Sequence, residues 1–186
     1  MHILLKNVLK EVEETSPLKV QFYCDMDGVL VDLDKGFKKM SGGLSPKEYE
    51  QKNGKNSFWS VVNSNPTFWL DLEPMPDASI LWDFIRDNFK NPQPVILSAG
   101  QGSRIKEQKT QWIRNHIDPT VQVLISPSGV KKPQFIIDRP DMKLTHVLLD
   151  DTDKNITAWD NSGPNRMAIL HKNAADSISK IKNILL

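Results

Sequence analysis

The chain has very little cysteine and no long apolar run. Cys24 is the only cysteine among 186 residues, which excludes an internal disulfide and predicts a reducing, cytoplasmic compartment. No apolar stretch approaches the ~18 residues that a membrane-spanning helix needs. The N-terminal region carries acidic residues from Glu11 onward and lacks a small-residue cleavage site. We therefore expect no signal peptide.

The sequence also has no excess of one charge sign and no pair of histidines spaced as metal ligands. The 24 Lys and Arg residues almost balance the 23 Asp and Glu residues, for a net charge of +1. The chain therefore lacks the overall positive charge that is typical of proteins that bind duplex nucleic acid. The four histidines form no pair at helical spacing, so we do not expect a histidine-based zinc site.

What is present is an alternation of short apolar runs with helix-like stretches. This alternation predicts an α/β fold with three layers, in which helices cover both faces of a parallel, Rossmann-like sheet. Leucine and valine spacing predicts a further helix over residues 2–14, ahead of this core. The predicted strands are 18–25, 94–98, 121–126, 146–150 and 167–171, and the predicted helices are near 78–90, 103–116, 153–161 and from 173.

Residues 33–78 contain no convincing strand and many polar residues. A plain loop of this length is uncommon in a compact domain. We therefore predict a small, mostly helical cap at 33–78, inserted after the first strand into a core made of 1–32 and 79–186.

Two carboxylates follow the first predicted strand. Asp25 and Asp27 are two residues apart at the end of an apolar run, and Gly28 allows a sharp turn behind them. Strand side chains two apart project to the same side, so both can address one site. The carboxyl ends of parallel strands are where such sheets bind ligands.

A second acidic pair, Asp150 and Asp151, ends another short apolar run. If the two strands are neighbours, these acids and those at 25 and 27 can share one cation. Carboxylate oxygens suit a hard divalent ion, and Mg²⁺ is the usual one beside phosphate.

A third apolar run ends in the small, hydroxyl- and glycine-rich turn that begins with Ser98, Ala99 and Gly100. A helix-like segment follows it. Backbone N–H groups of such a turn, together with a helix N-terminus, favour an anion. Along the sequence, the order of motifs is therefore a first acidic pair, a turn suited to phosphate, and a second acidic pair.

This order of motifs, from about residue 22 to about residue 171, resembles that of the haloacid dehalogenase superfamily. Within it, the closest likeness is to 5'(3')-deoxyribonucleotidases, and small phosphatase-like proteins of bacteriophages share the pattern. The similar segments are 25–37 (DMDGVLVDLDKGF), 68–76 (FWLDLEPMP) and 109–113 (KTQWI).

The resemblance implies a phosphatase mechanism. Asp25 would be the nucleophile that forms an aspartyl-phosphate, and Asp27 the general acid and base. Ser98 and the neighbouring N–H groups of Ala99 and Gly100 would hold phosphoryl oxygens. Mg²⁺ would bind the Asp25 carboxylate, the Asp27 carbonyl, Asp150 and Asp151.

The lysine that this chemistry needs has three candidates. We favour Lys132, which precedes a proline, over Lys131 and then Lys143; any of them could also be a solvated surface residue. Asp138 ends a further apolar run, but it is a single acid where the family has a doublet. We therefore assign the acidic doublet to 150 and 151.

Four aromatics lie in the predicted cap: Phe58, Trp59, Phe68 and Trp69. A nucleobase could stack on them, or they could form the core of the cap. We expect a small phosphorylated substrate, with a nucleoside monophosphate as the first choice. The alternatives are another small monoester, a nucleic-acid 3' end, or a silent nucleotide-binding module; the oligomeric state is left open.

Overall fold

Five strands form one parallel sheet in the computed structural model, which describes residues 19–54, 56–127, 129–136 and 143–186. The strand order is β3-β2-β1-β4-β5, and all four neighbouring pairs are parallel. The predicted α/β fold is confirmed, whereas the helix predicted at 2–14 lies outside the described residues. The strands are β1 (Val20–Cys24), β2 (Val95–Gly100), β3 (Gln122–Pro127), β4 (Thr145–Asp150) and β5 (Arg166–Leu170).

The helices of the described residues fall into two groups. Three lie between β1 and β2 in the predicted insertion, and the others connect or follow the strands. They are α1 (Leu33–Met40), α2 (Pro46–Asn53), α3 (Ser57–Ser64), α4 (Ala78–Asn88), α5 (Gly102–His116), the single turn α6 (Lys132–Phe135), α7 (Asp153–Asp160) and α8 (Ala174–Leu185). Among them, no helix is both long and apolar enough to cross a membrane.

The sheet is buried on both faces. Side chains of β1 alternate between two apolar clusters: Phe22 belongs to one and Tyr23 to the other, as the strand period of two requires. Buried residues of α4, α5 and α8 complete the first cluster, including Trp112 of α5. Trp159 of α7 belongs to the second. Continuous apolar strands such as β4 are the consequence of this double burial.

The two ends of the predicted insertion lie side by side. The amide of Asp32 donates to the carbonyl of Glu73 at 2.9 Å, and the amide of Met75 donates to that of Leu30 at 2.9 Å. Lys35 and Lys39 of α1 also form ion pairs with the exposed Glu73 carboxylate. Hydrogen bonds from these two ammonium groups lower the pKa of Glu73 to about 2.

Candidate active site

The ends of three neighbouring strands bring the acidic and phosphate-type motifs together. Asp25 directly follows β1, Asp150 is the last residue of β4, and Ser98 lies near the end of β2. Strand β1 pairs with both neighbours up to Cys24, so the three strands end at about the same level. The motifs therefore share the carboxyl edge of the sheet.

A buried lysine joins the two acidic motifs. Nζ of Lys132 lies 2.7 Å from Oδ1 of Asp25 and 2.6 Å from Oδ2 of Asp150. None of the three side chains is more than 7% exposed. Hydrogen bonds between ionised groups are short and strong, so this lysine fixes the two carboxylates relative to each other.

Burial and charge act against each other in this trio. Loss of hydration raises the pKa of Asp25 well above its ordinary value; Lys132 opposes this rise and Asp150 adds to it. Burial alone would lower the pKa of Lys132, but the two carboxylates outweigh burial and raise it. The lysine therefore stays charged, and its single positive charge faces two carboxylates.

Asp150 is held by several further donors. The amide of Thr152 donates to its Oδ1 at 2.9 Å, and Nδ2 of Asn155 lies 3.0 Å from both carboxylate oxygens. Asp150 has no exposed surface, so these bonds replace its hydration. Neither Thr152 nor Asn155 was among the predicted site residues, although both follow the acidic doublet within one helical turn.

Asp27 belongs to a second polar cluster beside the first. Its Oδ2 accepts hydrogen bonds from Nζ of Lys109 and, at 3.4 Å, from Oγ of Ser98. The same Nζ also donates to Oγ of Ser98 at 3.0 Å and to the carbonyl of Ala99 at 2.8 Å. Oδ1 of Asp27 is buried and has no hydrogen-bond partner in the described part of the chain.

Lys109 is a further site residue to which the sequence analysis gave no role, although it begins the segment 109–113 that resembles the deoxyribonucleotidases. It lies in α5 four residues after Ile105 and four before Ile113, both of which are buried, so all three share one face. Lysine is rarely buried without a partner. A lysine in the middle of an apolar helical stripe was the signal that could have identified it.

Three carboxylates converge at the predicted metal position. Asp25, Asp150 and Asp151 each offer an oxygen, and these oxygens lie within 4.8 Å of one another. With Lys132 as the cation among them, two formal negative charges remain. Loss of hydration raises the pKa of Asp151, and the charge of Asp150 raises it further. Hard oxygen donors with two uncompensated charges fit a divalent ion such as Mg²⁺.

Gly28 lets the turn after β1 approach this acidic group. Its φ is +76°, and a Cβ at this position would collide with Oδ2 of Asp151. Any side chain here would be strained and would displace the acid. The glycine is therefore required by close approach as well as by the turn.

A cavity of about 590 Å³ opens over the site. One part of the cavity wall comes from the core and includes the predicted nucleophile. The other part comes from the predicted insertion, from the first turn of α1 and the start of α2. The lining from the core includes Asp25, Asp27, Ala99, Lys132 and Asp151, and that from the insertion is Leu33, Asp34, Ser45, Pro46 and Lys47.

None of the four insertion aromatics is among the residues that line this cavity. Phe68 and Trp69 are each only 2% exposed. Phe58 and Trp59 are partly buried; the Phe58 ring stacks on Phe37 with centroids 5.1 Å apart. Packing within the protein accounts for most of the area of these rings.

The other candidate lysines lie elsewhere. Lys131 and Lys143 are both exposed, whereas their competitor Lys132 is buried. Asp138, which we set aside as a metal ligand, lies outside the described residues.

No family model matches the chain, and no curated protein matches it. Among solved structures, the chain is similar to a hydrolase from Streptococcus pneumoniae TIGR4, with 15% identity over 90% of this chain and all of that one, and a TM-score of 0.53. It is also similar to the HAD domain of effector protein Lem4 from Legionella pneumophila (14% identity, 91% and 96% coverage, TM-score 0.44). A third similar structure is a HAD hydrolase, family IA, variant 3, from Entamoeba histolytica HM-1:IMSS (14%, 88% and 100%, 0.40).

The last two scores are below 0.5, and we draw nothing from them. The first likeness shows the fold. Together with the parallel order β3-β2-β1-β4-β5, it identifies the architecture as a Rossmann-like α/β fold.

Proposed function

We propose that this chain is a Mg²⁺-dependent phosphomonoester hydrolase of the haloacid dehalogenase superfamily. The observation that carries the proposal is Lys132, held by Asp25 and Asp150 at 2.7 and 2.6 Å, with Asp27 two residues from the first acid. A buried cation beside a carboxylate that lines a cavity suits a nucleophile that attacks an anionic phosphate.

Asp25 is the proposed nucleophile. Both hydrogen bonds to its carboxylate, from the amide of Met26 and from Lys132, fall on Oδ1. Oδ2 has no such donor among the described residues and is the oxygen we assign to attack. An O–P bond forms between Oδ2 and the phosphorus while the bond from phosphorus to the leaving oxygen breaks. The product is an aspartyl-phosphate.

Asp27 is the proposed general acid and base. It gives a proton to the leaving oxygen in the first step and takes one from water in the second. That water attacks phosphorus, the O–P bond to Asp25 breaks, and inorganic phosphate leaves. The buried Oδ1 without a partner among the described residues supports this role, since a group on the substrate would complete its hydrogen bonding.

The phosphoryl oxygens need donors that do not react. We assign these to Lys132 and to the turn of Ser98, Ala99 and Gly100, which is followed by the 15-residue helix α5. Helix N-termini and successive N–H groups favour anions. Gly100 also has a packing role, because a Cβ there would lie 3.0 Å from Ile105.

Asp25, Asp150 and Asp151 would hold the Mg²⁺, together with the backbone carbonyl of Asp27. When bound, the ion supplies neutralisation of phosphate charge and orients the ester. The two uncompensated negative charges of this group are the reason the residues fit such an ion.

The metal assignment predicts competition between Mg²⁺ and protons. We expect phosphate release from an aryl phosphate to require Mg²⁺ and to stop with a chelator. Asp151→Asn should raise the Mg²⁺ concentration for half activation at least ~10-fold, since even outer-shell changes cost that much. For the wild type this concentration should rise as pH falls, because protons compete for Asp25 and Asp151, whose pKa values are raised.

Asp153→Asn is the matched control for the metal prediction, since Asp153 is an exposed acid in the first turn of α7. It should leave Mg²⁺ activation unchanged, as should Asp138→Ala. Loss of activation in Asp138→Ala with a normal response in Asp151→Asn would show that the wrong acidic motif was chosen.

Lys132 should matter for stability as well as activity. Lys132→Met leaves Asp25 and Asp150 buried without their cation. Breaking a buried pair in this way costs about 3–5 kcal/mol in the free energy of unfolding. Denaturant melts should show this loss and the phosphatase assay a nearly inactive protein, whereas Lys131→Met and Lys143→Met should stay within ~0.5 kcal/mol of wild type. Equal effects of the three changes would contradict the assignment.

We propose that the insertion at 33–78 is a cap that selects the substrate, and that a nucleoside monophosphate is that substrate. The cap role is supported by its lining of the cavity through Leu33, Ser45, Pro46 and Lys47. The nucleotide is supported by the sequence likeness of 25–37, 68–76 and 109–113 to deoxyribonucleotidases. Since none of the four aromatics lines the cavity, we assign base contact to Leu33 and Pro46, the apolar side chains that the insertion does supply to it.

A substrate panel tests this choice. Deoxynucleoside monophosphates should have a higher kcat/KM than sugar phosphates. Leu33→Ala, which shortens an apolar side chain that lines the cavity, should lower kcat/KM for the nucleotide about 10-fold, the cost of a lost apolar contact in a binding pocket. Phe84→Ala, which removes a partly buried ring of α4, controls for lost packing and should not change the ratio of nucleotide to aryl phosphate. A preference for sugar phosphates would contradict the nucleotide and leave the phosphatase proposal intact.

A further inference from the structure

The ammonium of Lys109 has all its hydrogens engaged by the protein. A lysine has three N–H donors and no acceptor. Nζ of Lys109 contacts three acceptors, which are Oδ2 of Asp27, Oγ of Ser98 and the carbonyl of Ala99. No N–H is left for a phosphoryl oxygen. Lys132, in contrast, contacts two carboxylates among the described residues and has one donor for the substrate.

An indole ring covers the remaining side of the same ammonium. Nζ of Lys109 lies 3.9 Å from the centroid of the Trp69 ring. Both residues are almost fully buried, so water does not weaken the attraction between the cation and the ring. The indole Nε1 has no hydrogen-bond partner among the described residues. The ammonium contacts the ring itself and not this N–H donor.

Hydrogen bonds join α5 to the backbone both before and after Trp69. Trp112 of α5 donates its indole N–H to the carbonyl of Leu72 at 2.8 Å, and Gln108 of α5 donates to the carbonyl of Pro66. The segment that returns from the insertion is thus bound to the helix that carries Lys109. These bonds hold the backbone on both sides of Trp69 against α5, and the ring lies over the ammonium.

We infer that Trp69 is a positioning residue that acts through Lys109 on Asp27. The ring holds Nζ against Oδ2 of Asp27, so that Oδ1 is presented to the leaving oxygen. This inference rests on the proposed function, because it assigns Trp69 to the general-acid step. It also makes the returning segment of the insertion part of the catalytic geometry.

The test compares a good and a poor leaving group. An aryl phosphate needs little help from an acid, whereas an alkyl phosphate needs the proton from Asp27. Trp69→Met fills a similar apolar space without a π face. We expect it to lower kcat for the alkyl ester about tenfold more than kcat for the aryl ester, a fraction of the ~10²–10⁴-fold that general acids supply. KM should change little, and Trp69→Phe should restore most of the loss.

Trp82→Met is the matched control, since Trp82 of α4 is an equally buried indole whose N–H donates to Asp118 and which has no part in holding Trp69 or Lys109. It should leave the alkyl-to-aryl ratio unchanged. Lys109→Met should show the same selective loss as Trp69→Met or a larger one. In the double variant, Trp69→Met should add nothing to Lys109→Met, because the ring acts only through the lysine.

A readout without activity accompanies the kinetics. In the folded protein, NMR signals of the Lys109 side chain should show a ring-current shift that Trp69→Met removes and Trp82→Met keeps. An unchanged alkyl-to-aryl ratio in Trp69→Met, in a protein that is active, would overturn the positioning role alone. A wild type that hydrolyses no phosphomonoester with Mg²⁺ would overturn the proposed function and this role with it, whatever the NMR result.

Discussion

Asp25→Asn should remove phosphomonoester hydrolysis almost completely, by at least ~10³-fold, since loss of a catalytic nucleophile costs up to ~10⁶-fold in other covalent enzymes. The amide has the same shape and its oxygen can still accept from Lys132. It lacks the negative charge that attacks phosphorus. The chain should therefore remain folded while both steps of the reaction stop.

Two measurements check the nucleophile. Steady-state phosphate release gives the loss of rate, and intact-protein mass spectrometry after acid quenching should find a phosphate adduct in the wild type and none in Asp25→Asn. Asp32→Asn is the matched control. Asp32 caps α1 by accepting from the amide of Lys35 at 2.9 Å, and asparagine caps as well as aspartate. Normal turnover in Asp25→Asn would rule out the covalent mechanism.

The strand ends were predictable because apolar runs and acids lie next to each other in the sequence. Predicted strands 18–25 and 146–150 correspond to Val20–Cys24 and Thr145–Asp150, each with its acids at the carboxyl end. Strands buried on both faces must be apolar throughout, and the first charged residue then marks the edge of the sheet. The order β3-β2-β1-β4-β5 could not be read in this way, because it depends on how the crossovers pack.

The hydrogen-bond partners of Lys109 could not be predicted from the local sequence. Its three acceptors come from two other parts of the chain, 82 and about 10 residues away. Only the fold brings them to one point. The sequence did contain the anomaly of a lysine in an apolar stripe, which marks a buried cation but does not say which anion it meets.

The aromatics illustrate a different limit. A ring that stacks on a base and a ring that fills a core have the same composition and spacing. The structure separates them by position: Phe68 and Trp69 are 2% exposed, and none of the four rings lines the cavity over the site. Tertiary packing, which no local pattern contains, decides between the two uses.

Asp27→Asn should be the second most damaging change, and its size should depend on the substrate. We expect kcat for an alkyl phosphate to fall by ~10²–10⁴-fold, the usual contribution of a general acid. Asparagine can still accept from Lys109 and Ser98, so the local hydrogen bonds at Oδ2 persist. It has no proton to give to the leaving oxygen and takes none from water.

The good leaving group provides the internal control for Asp27→Asn. Phosphorylation of Asp25 by an aryl phosphate should continue at a rate closer to that of the wild type, because an aryl oxide leaves without a proton. Hydrolysis of the aspartyl-phosphate needs a base and should be slow, so the variant should accumulate a phosphate adduct that rapid-quench mass spectrometry detects. An equal loss of rate for aryl and alkyl esters, without accumulation of the adduct, would show that Asp27 holds the site together rather than moving the proton.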